Sequence, residues 1–249
     1  MTRNRNSHAP IAAAIAGLAL TATSAHAAVV QTIQVDGNPA AFDGAVTTSL
    51  TTLATASAPA PSAGNTLGLS DGTASGFTVP DLSTSSTWYN GLNAGAATIT
   101  FTLDQAYNIT SISSLTGWSA GYFGSQIFTL SLETGGSGTF TQLVNPLASN
   151  PVGAGNFGTT PYITPGVAGF PVVIDDGFAV LTTITDDSGT IAGNVTAVRF
   201  EFSDPYSGIG SLNGTVIREL SITGTAVPEP SVALLGLFGI LGSMRRRRH

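Results

Sequence analysis

Alternation with a period of two runs through the middle and the end of this chain. In 98–104, Ile99, Phe101 and Leu103 alternate with Thr98, Thr100 and Thr102. An extended backbone there carries an apolar row on one face and a threonine ladder on the other. Residues 107–115 form a further strand after a turn expected at 104–106. In 126–133, Phe128, Leu130 and Leu132 share a face, and Gly135-Gly136-Ser137-Gly138 turns the chain into 139–144, which together read as antiparallel hairpins. Val198, Phe200 and Phe202 alternate with Arg199 and Glu201. Val216, Leu220 and Ile222 alternate with Ile217, Glu219 and Ser221, with Arg218 on the face of Leu220.

Residues 29–35, 46–53 and 178–185 read as further strands. Turn chemistry separates them: Asp36-Gly37-Asn38-Pro39 after the first, Asp186-Asp187-Ser188-Gly189 after the last. Glycine tolerates positive φ there and proline stops a ladder. The small, proline-bearing stretch 54–64 reads as a loop, and 150–171, rich in Gly and Pro without a period, as a long surface loop. No helical period of useful length and no fixed repeat occurs between Ala28 and Val227. About ten strands separated by turns predict an all-β body over 28–226, an antiparallel β-sandwich of the jelly-roll type.

The two ends break this pattern. Residues 1–27 carry Arg3 and Arg5, an apolar segment 10–20 and Ala25-His26-Ala27. This order predicts a signal-peptide helix, with cleavage between Ala27 and Ala28, and export by the Sec machinery. At the other end, 227–249 reads Val227-Pro228-Glu229-Pro230, an apolar run 231–244, then Arg245, Arg246, Arg247 and Arg248. A helix over that run rises about 21 Å at 1.5 Å per residue, short of the roughly 30 Å hydrocarbon core. It spans only with local thinning or with arginines snorkelling to the headgroups. The arginine cluster keeps its own end cytoplasmic and leaves the body outside.

Charge narrows the classes of function. Only 9% of the residues are charged, and all eight basic ones are arginines. Six of them lie in the terminal segments, so the body holds Arg199 and Arg218 against thirteen acidic residues, a net charge of −11. Such a body repels phosphate backbones, and no nucleic-acid partner is expected. The chain has no cysteine and no lysine, and its three histidines, His8, His26 and His249, all lie outside the body. Disulfides, thiolate and Schiff-base chemistry, a Ser-His-Asp triad, His- or Cys-ligated metal and a Walker phosphate loop are thereby excluded from it.

Carboxylates, hydroxyls and rings remain. A glycosidase needs two carboxyl groups roughly 5 to 9.5 Å apart, and Glu133, Asp175, Asp176, Asp186, Asp187, Glu201 and Glu219 are the candidates. The pairs Asp175-Asp176 and Asp186-Asp187 also offer hard oxygens suited to calcium, although the spaced EF-hand pattern is absent and the same pairs make ordinary turns. No other cofactor is expected. Trp88-Tyr89, and Trp118 with Tyr122, sit among Gly and Ser, where an exposed ring stacks on a sugar; large rings in a sandwich also serve as core.

Pro228-Glu229-Pro230, followed by Leu234-Leu235-Gly236-Leu237 and the arginine cluster, resembles the PEP-CTERM sorting signal of Gram-negative bacterial exported proteins. The resemblance covers 227–249, with a shorter apolar run than usual. It implies recognition by an exosortase, a membrane-embedded transpeptidase, with the helix retained in the inner membrane until processing. It also implies association with surface exopolysaccharide. In the body, 109–115, 126–133, Phe140, 195–202 and 216–224 resemble the closing strands of discoidin-like, galactose-binding jelly rolls, which implies the fold. The sequence thus predicts an exported, non-enzymatic surface or matrix protein held first at the inner membrane. A carbohydrate-binding module is the alternative, and a carboxylate-dependent glycosidase the third reading.

Overall fold

The computed structural model describes residues 29–36, 42, 45, 49–61, 63–64, 66–70, 87–90, 97–118, 126–143, 156–159, 178–203 and 214–228. The signal-peptide and tail helices expected from the sequence lie outside these residues. Among the described residues no helix is long and apolar enough to cross a membrane.

The strands are β1 (Val29–Asp36), β2 (Thr55–Ser57), β3 (Ala63–Gly64), β4 (Thr87–Asn90), β5 (Ala97–Trp118), β6 (Gln126–Thr134), β7 (Phe140–Gln142), β8 (Asn156–Thr159), β9 (Phe178–Asp186), β10 (Ala192–Ser203) and β11 (Gly214–Ala226). Every pairing between them is antiparallel. The predicted antiparallel β-sandwich of jelly-roll type is the observed fold.

β5 organises it. Its 22 residues would extend about 70 Å if straight, at roughly 3.3 Å per residue. It belongs instead to both layers. Residues 97–102 pair with β2 and β10, whereas 111–118 pair with β9 and 107–116 with β11. Between them the ladder slips, Ala197 standing opposite Thr102 but Val195 opposite Tyr107. The Tyr107 hydroxyl donates to Asp104 Oδ1 at 2.9 Å and accepts from Gln105 Nε2 at 3.2 Å, which closes the bend upon itself. One layer is therefore β2-β5-β10-β6, with β7 and β8 along the far side of β6; the other is β1-β9-β5-β11-β4-β3.

Alternation places Ile99, Phe101, Phe128, Leu130, Phe200 and Phe202 between the layers, all fully buried. The rings interlock. Phe101 meets Phe200 edge-on at 6.2 Å, and Phe128 lies 5.3 Å from Phe202 and 6.1 Å from Phe157. Such contacts add about 0.5–1.5 kcal/mol each beyond the area they bury. Ile112, Ile184, Leu220 and Ile222 close the core from the other layer.

Four sequence expectations need correction. The turn expected at 104–106 is a bend inside one strand, because both flanking segments find partners in different layers rather than each other. The strand expected over 46–53 is, over Leu50–Leu53, a 3₁₀ turn. Ser49 caps it, its Oγ accepting from Thr51 N at 3.2 Å and from Ile222 N at 2.9 Å, so local side-chain bonding displaces the ladder. The loop expected over 54–64 holds two short strands, β2 and β3, which find ladders on β5 and β4, and the loop expected over 150–171 contains β8, whose Phe157 is buried against Phe128.

Candidate ligand-binding face

The outer side of the first layer is polar, and register shows which residues share it. Ser57, Thr100, Arg199, Ser131 and Gln142 form one row across β2, β5, β10, β6 and β7. Thr98, Glu201 and Thr129 form the next, and Thr102, Ala197, Glu133 and Phe140 the one on the other side. Successive side chains of a strand point to opposite faces, so all of these turn away from the aromatic core.

Arg199 dominates this face. Its guanidinium carbon lies 3.6 Å from the centre of the Phe140 ring. The hairpin between β6 and β7 makes that approach possible, through positive φ at Gly135, Gly136 and Gly138, which returns β7 directly beside β6. Glu201 and Glu133 stand in the rows on either side of Arg199, and each carboxylate is held by another donor. Glu201 Oε2 accepts from Thr129 Oγ1 at 3.1 Å, and Glu133 Oε1 accepts from Gly138 N at 2.7 Å. Among the described residues Arg199 forms no ion pair, and its buried Nε has no hydrogen-bond partner. A donor fork thus lies over a ring, with polar side chains and two carboxylates in the rows beside it.

The second body arginine is elsewhere. Arg218 is the extra residue of a β-bulge, with Ile217 opposite Thr116 and Glu219 opposite Leu115. It is fully buried, its Nε donating to Gly117 O at 2.8 Å. The body has no third cation, so Arg199 is the one that reaches solvent.

The residues singled out from sequence fall in different places. Tyr89 is only 3% exposed and donates its hydroxyl to Pro59 O at 3.1 Å. Its ring is core, the second of the two roles that the sequence left open for it. Burial pushes its pKa up from 10.0 to about 12, because desolvation disfavours the phenolate. Trp88 stands opposite Val216, and Trp118 ends β5 opposite Phe178; Tyr122 lies outside the described residues. Asp175 and Asp176 lie outside them too. Asp186 Oδ1 accepts from Ser188 N at 2.7 Å and from the Ser188 hydroxyl, and Gly189 N donates to Asp186 O. Asp186 and Asp187 therefore open a turn, and among the described residues no group of three or more His, Cys, Asp or Glu is placed to hold a metal. Glu219 is buried in the second layer, opposite Leu115, on the other leaf from Glu133 and Glu201.

One feature of the interior has no period-two signature. Gln126 lies fully buried beside Ser114 and Thr182. Ser114 Oγ contacts its Oε1 at 2.6 Å, while its Nε2 donates to Ser114 O, Val180 O and Thr182 Oγ1 at 3.1, 3.3 and 3.0 Å. This network fastens β5, β6 and β9 across the end of the sandwich. Neither Gln126 nor the pairing of Arg199 with Phe140 was foreseen from sequence. The isolation of Arg199 in a cation-poor body was the available signal.

At the end of the described residues Val227 N donates to Ala106 O at 2.9 Å. Pro228 is already exposed.

No family model matches the chain, and no curated protein does. Solved structures do resemble it. CpGH89CBM32-6 of Clostridium perfringens covers 71% of this chain and 99% of its own, at 11% identity and a TM-score of 0.36. The chitosan-binding module 1 derived from a chitosanase/glucanase of Paenibacillus sp. IK-5 has the same coverages at 16% identity and 0.37. An F5/8 type C domain of a Bacteroides fragilis protein covers 82% of this chain and 99% of its own, at 12% identity and 0.32.

Proposed function

We propose that this chain is an exported, non-catalytic protein of the cell surface or extracellular matrix, sorted through Pro228-Glu229-Pro230, and that its sandwich holds a neutral glycan on the face around Arg199. One observation carries the binding reading: the single solvent-reaching cation of a strongly acidic body lies over the Phe140 ring, with a buried Nε that has no hydrogen-bond partner among the described residues. Vicinal sugar hydroxyls both donate and accept, and adjacent planar donors and acceptors match them in pairs. The threonine ladder of β5 extends the same polar surface. The body's charge disfavours polyanionic chains, because a −11 body repels them at long range.

The sorting reading rests on the sequence of 227–249, helped by what precedes it: Val227 is bonded to the fold through Ala106 O, and Pro228 is exposed directly after it. A sortase-type enzyme needs such an accessible motif.

A glycan array probed with the full chain and with Arg199→Ala tests the first part. Selective binding to neutral oligosaccharides, lost in the variant, is expected; uniformly negative arrays would sink it. For the second part, Glu229→Ala is followed by tail-specific immunoblotting. The tail is expected to persist in the membrane fraction, and unchanged processing would refute the sorting role.

A further inference from the structure

Register lays one line of polar side chains straight across the first layer. Ser57, Thr100, Arg199, Ser131 and Gln142 stand opposite one another on β2, β5, β10, β6 and β7. Neighbouring strands lie about 4.8 Å apart, so the line is about 19 Å long. Ser57 and Gln142 are exposed at its ends, Thr100 and Arg199 are half-buried, and Ser131 lies low between the longer Arg199 and Gln142. Among the described residues the side chains of these five make no hydrogen bond, and Arg199 Nε is buried without a partner. The rows on either side differ, because Glu201 accepts from the Thr129 hydroxyl and Glu133 from Gly138 N. A row of open donors and acceptors therefore runs between two carboxylates that are already engaged.

Resting on the glycan-binding reading above, we infer that the ligand of this face is a linear, neutral, β-1,4-linked chain of pyranoses lying across the strands, one sugar unit to each strand of the line. The repeat carries the argument. Across the sheet a side chain on this face recurs at every strand, about 4.8 Å away, whereas along a strand it recurs at every second residue, about 6.7 Å away. An extended chain linked through equatorial oxygens advances per sugar by close to the first distance and well short of the second. Each unit meets a fresh donor or acceptor when the chain crosses the strands, and drifts out of step when it runs along them. A site for a single terminal sugar instead needs polar groups that converge on one point. Here the ends of the line are about 19 Å apart, and no one sugar touches both. Charge selects neutral units: the line itself holds no carboxylate, but Glu201 and Glu133 stand beside Arg199 in the adjoining rows, where they oppose an acidic sugar.

Dependence on ligand length is the readout. The full chain is titrated calorimetrically with β-1,4-linked oligomers of glucose, mannose and N-acetylglucosamine, each from two to six units, and with the α-1,4-linked glucose hexamer, whose axial linkages curl it off the line. In a series that binds, affinity is expected to rise about tenfold or more from two units to five, as hydrogen bonds are added along the line, and to level off at six. The curled hexamer is expected to bind no better than a dimer. Ser57→Ala and Gln142→Ala, at the two exposed ends, are each expected to lower affinity for the pentamer about threefold and to flatten the rise with length; an unchanged urea midpoint shows that each variant keeps the sandwich. Equal affinity from dimer to hexamer would overturn the inference while leaving a glycan-binding face, its ligand then being a terminal sugar. A rise flattened by Thr98→Ala and Thr102→Ala, but not by the two end variants, would set the chain along β5 and overturn it as well. Binding to none of these oligomers also overturns it, and the glycan array then decides the wider reading separately: a positive array keeps the glycan site with another ligand, and a negative one removes both.

Discussion

The guanidinium carbon of Arg199 sits 3.6 Å from the centre of the Phe140 ring, on the outer face of the β10-β6-β7 layer. A ring holds the charge without neutralising it. Contacts of this kind contribute about 0.5–1 kcal/mol when exposed, so the pair orients the guanidinium more than it stabilises the fold. Arg199→Ala should lower affinity for the bound glycan about tenfold or more while changing unfolding free energy by no more than about 1 kcal/mol. Arg199→Lys should fail to restore binding, because an ammonium lacks the planar fork. Isothermal titration with an array-selected oligosaccharide, alongside urea unfolding, separates the two effects.

The Gln126 network makes the opposite prediction. Gln126→Leu removes the shared partner of Ser114, Thr182 and Val180 O and leaves their polar atoms buried. The expected cost is about 1–3 kcal/mol, read as a lowered urea midpoint with an unchanged slope. Glycan affinity should be unaffected, since the network lies between the layers.

Gly224 marks a close approach of backbones. A Cβ there would stand 2.5 Å from Asn108 O, where β11 slips register between Thr223 and Gly224. Backbone cannot swing aside as a side-chain tip can. Gly224→Ala should therefore destabilise the sandwich by about 1–3 kcal/mol, measured by chemical denaturation. Gly136→Ala, at φ +66° with open space around it, should cost only the smaller left-handed-backbone penalty of about 1 kcal/mol.

Tyr89 predicts an alkaline limb. Its pKa is raised to about 12 in the folded chain against 10.0 when solvated. An acid whose folded pKa is raised binds its proton more tightly in the native state. Its contribution is complete below pH 10 and is lost as pH climbs from 10 through 12. The urea midpoint should fall across that window, and Tyr89→Phe should flatten the fall. A variant that loses stability with pH as steeply as the parent would exclude Tyr89 as its source.

Much of the architecture was legible because alternation is a local property. Thr98 to Leu103, Phe128 to Leu132 and Val198 to Phe202 each declare a strand and its buried face without reference to any partner. The Gly135 to Gly138 turn was equally legible, since three residues at positive φ demand glycine. β8 was hidden because four residues in a Gly- and Pro-rich stretch show no period; Phe157 becomes core only through Phe128. The bend in β5 read as a turn because Asp104 and Gln105 look alike in either role, and what distinguishes them is which strands lie beside each half.

By itself the sequence determined the all-β class, the inward rows, the acidic, cation-poor character of the body and the chemistry it excludes. Each follows from residue type or from spacing along one strand. Tertiary structure alone decided that Arg199 meets Phe140, that Tyr89 is core, that Asp186 serves a turn, and that β1 pairs with β9. Those outcomes depend on register between strands distant in the chain. Register is set by the summed burial of whole ladders, a quantity no single segment carries.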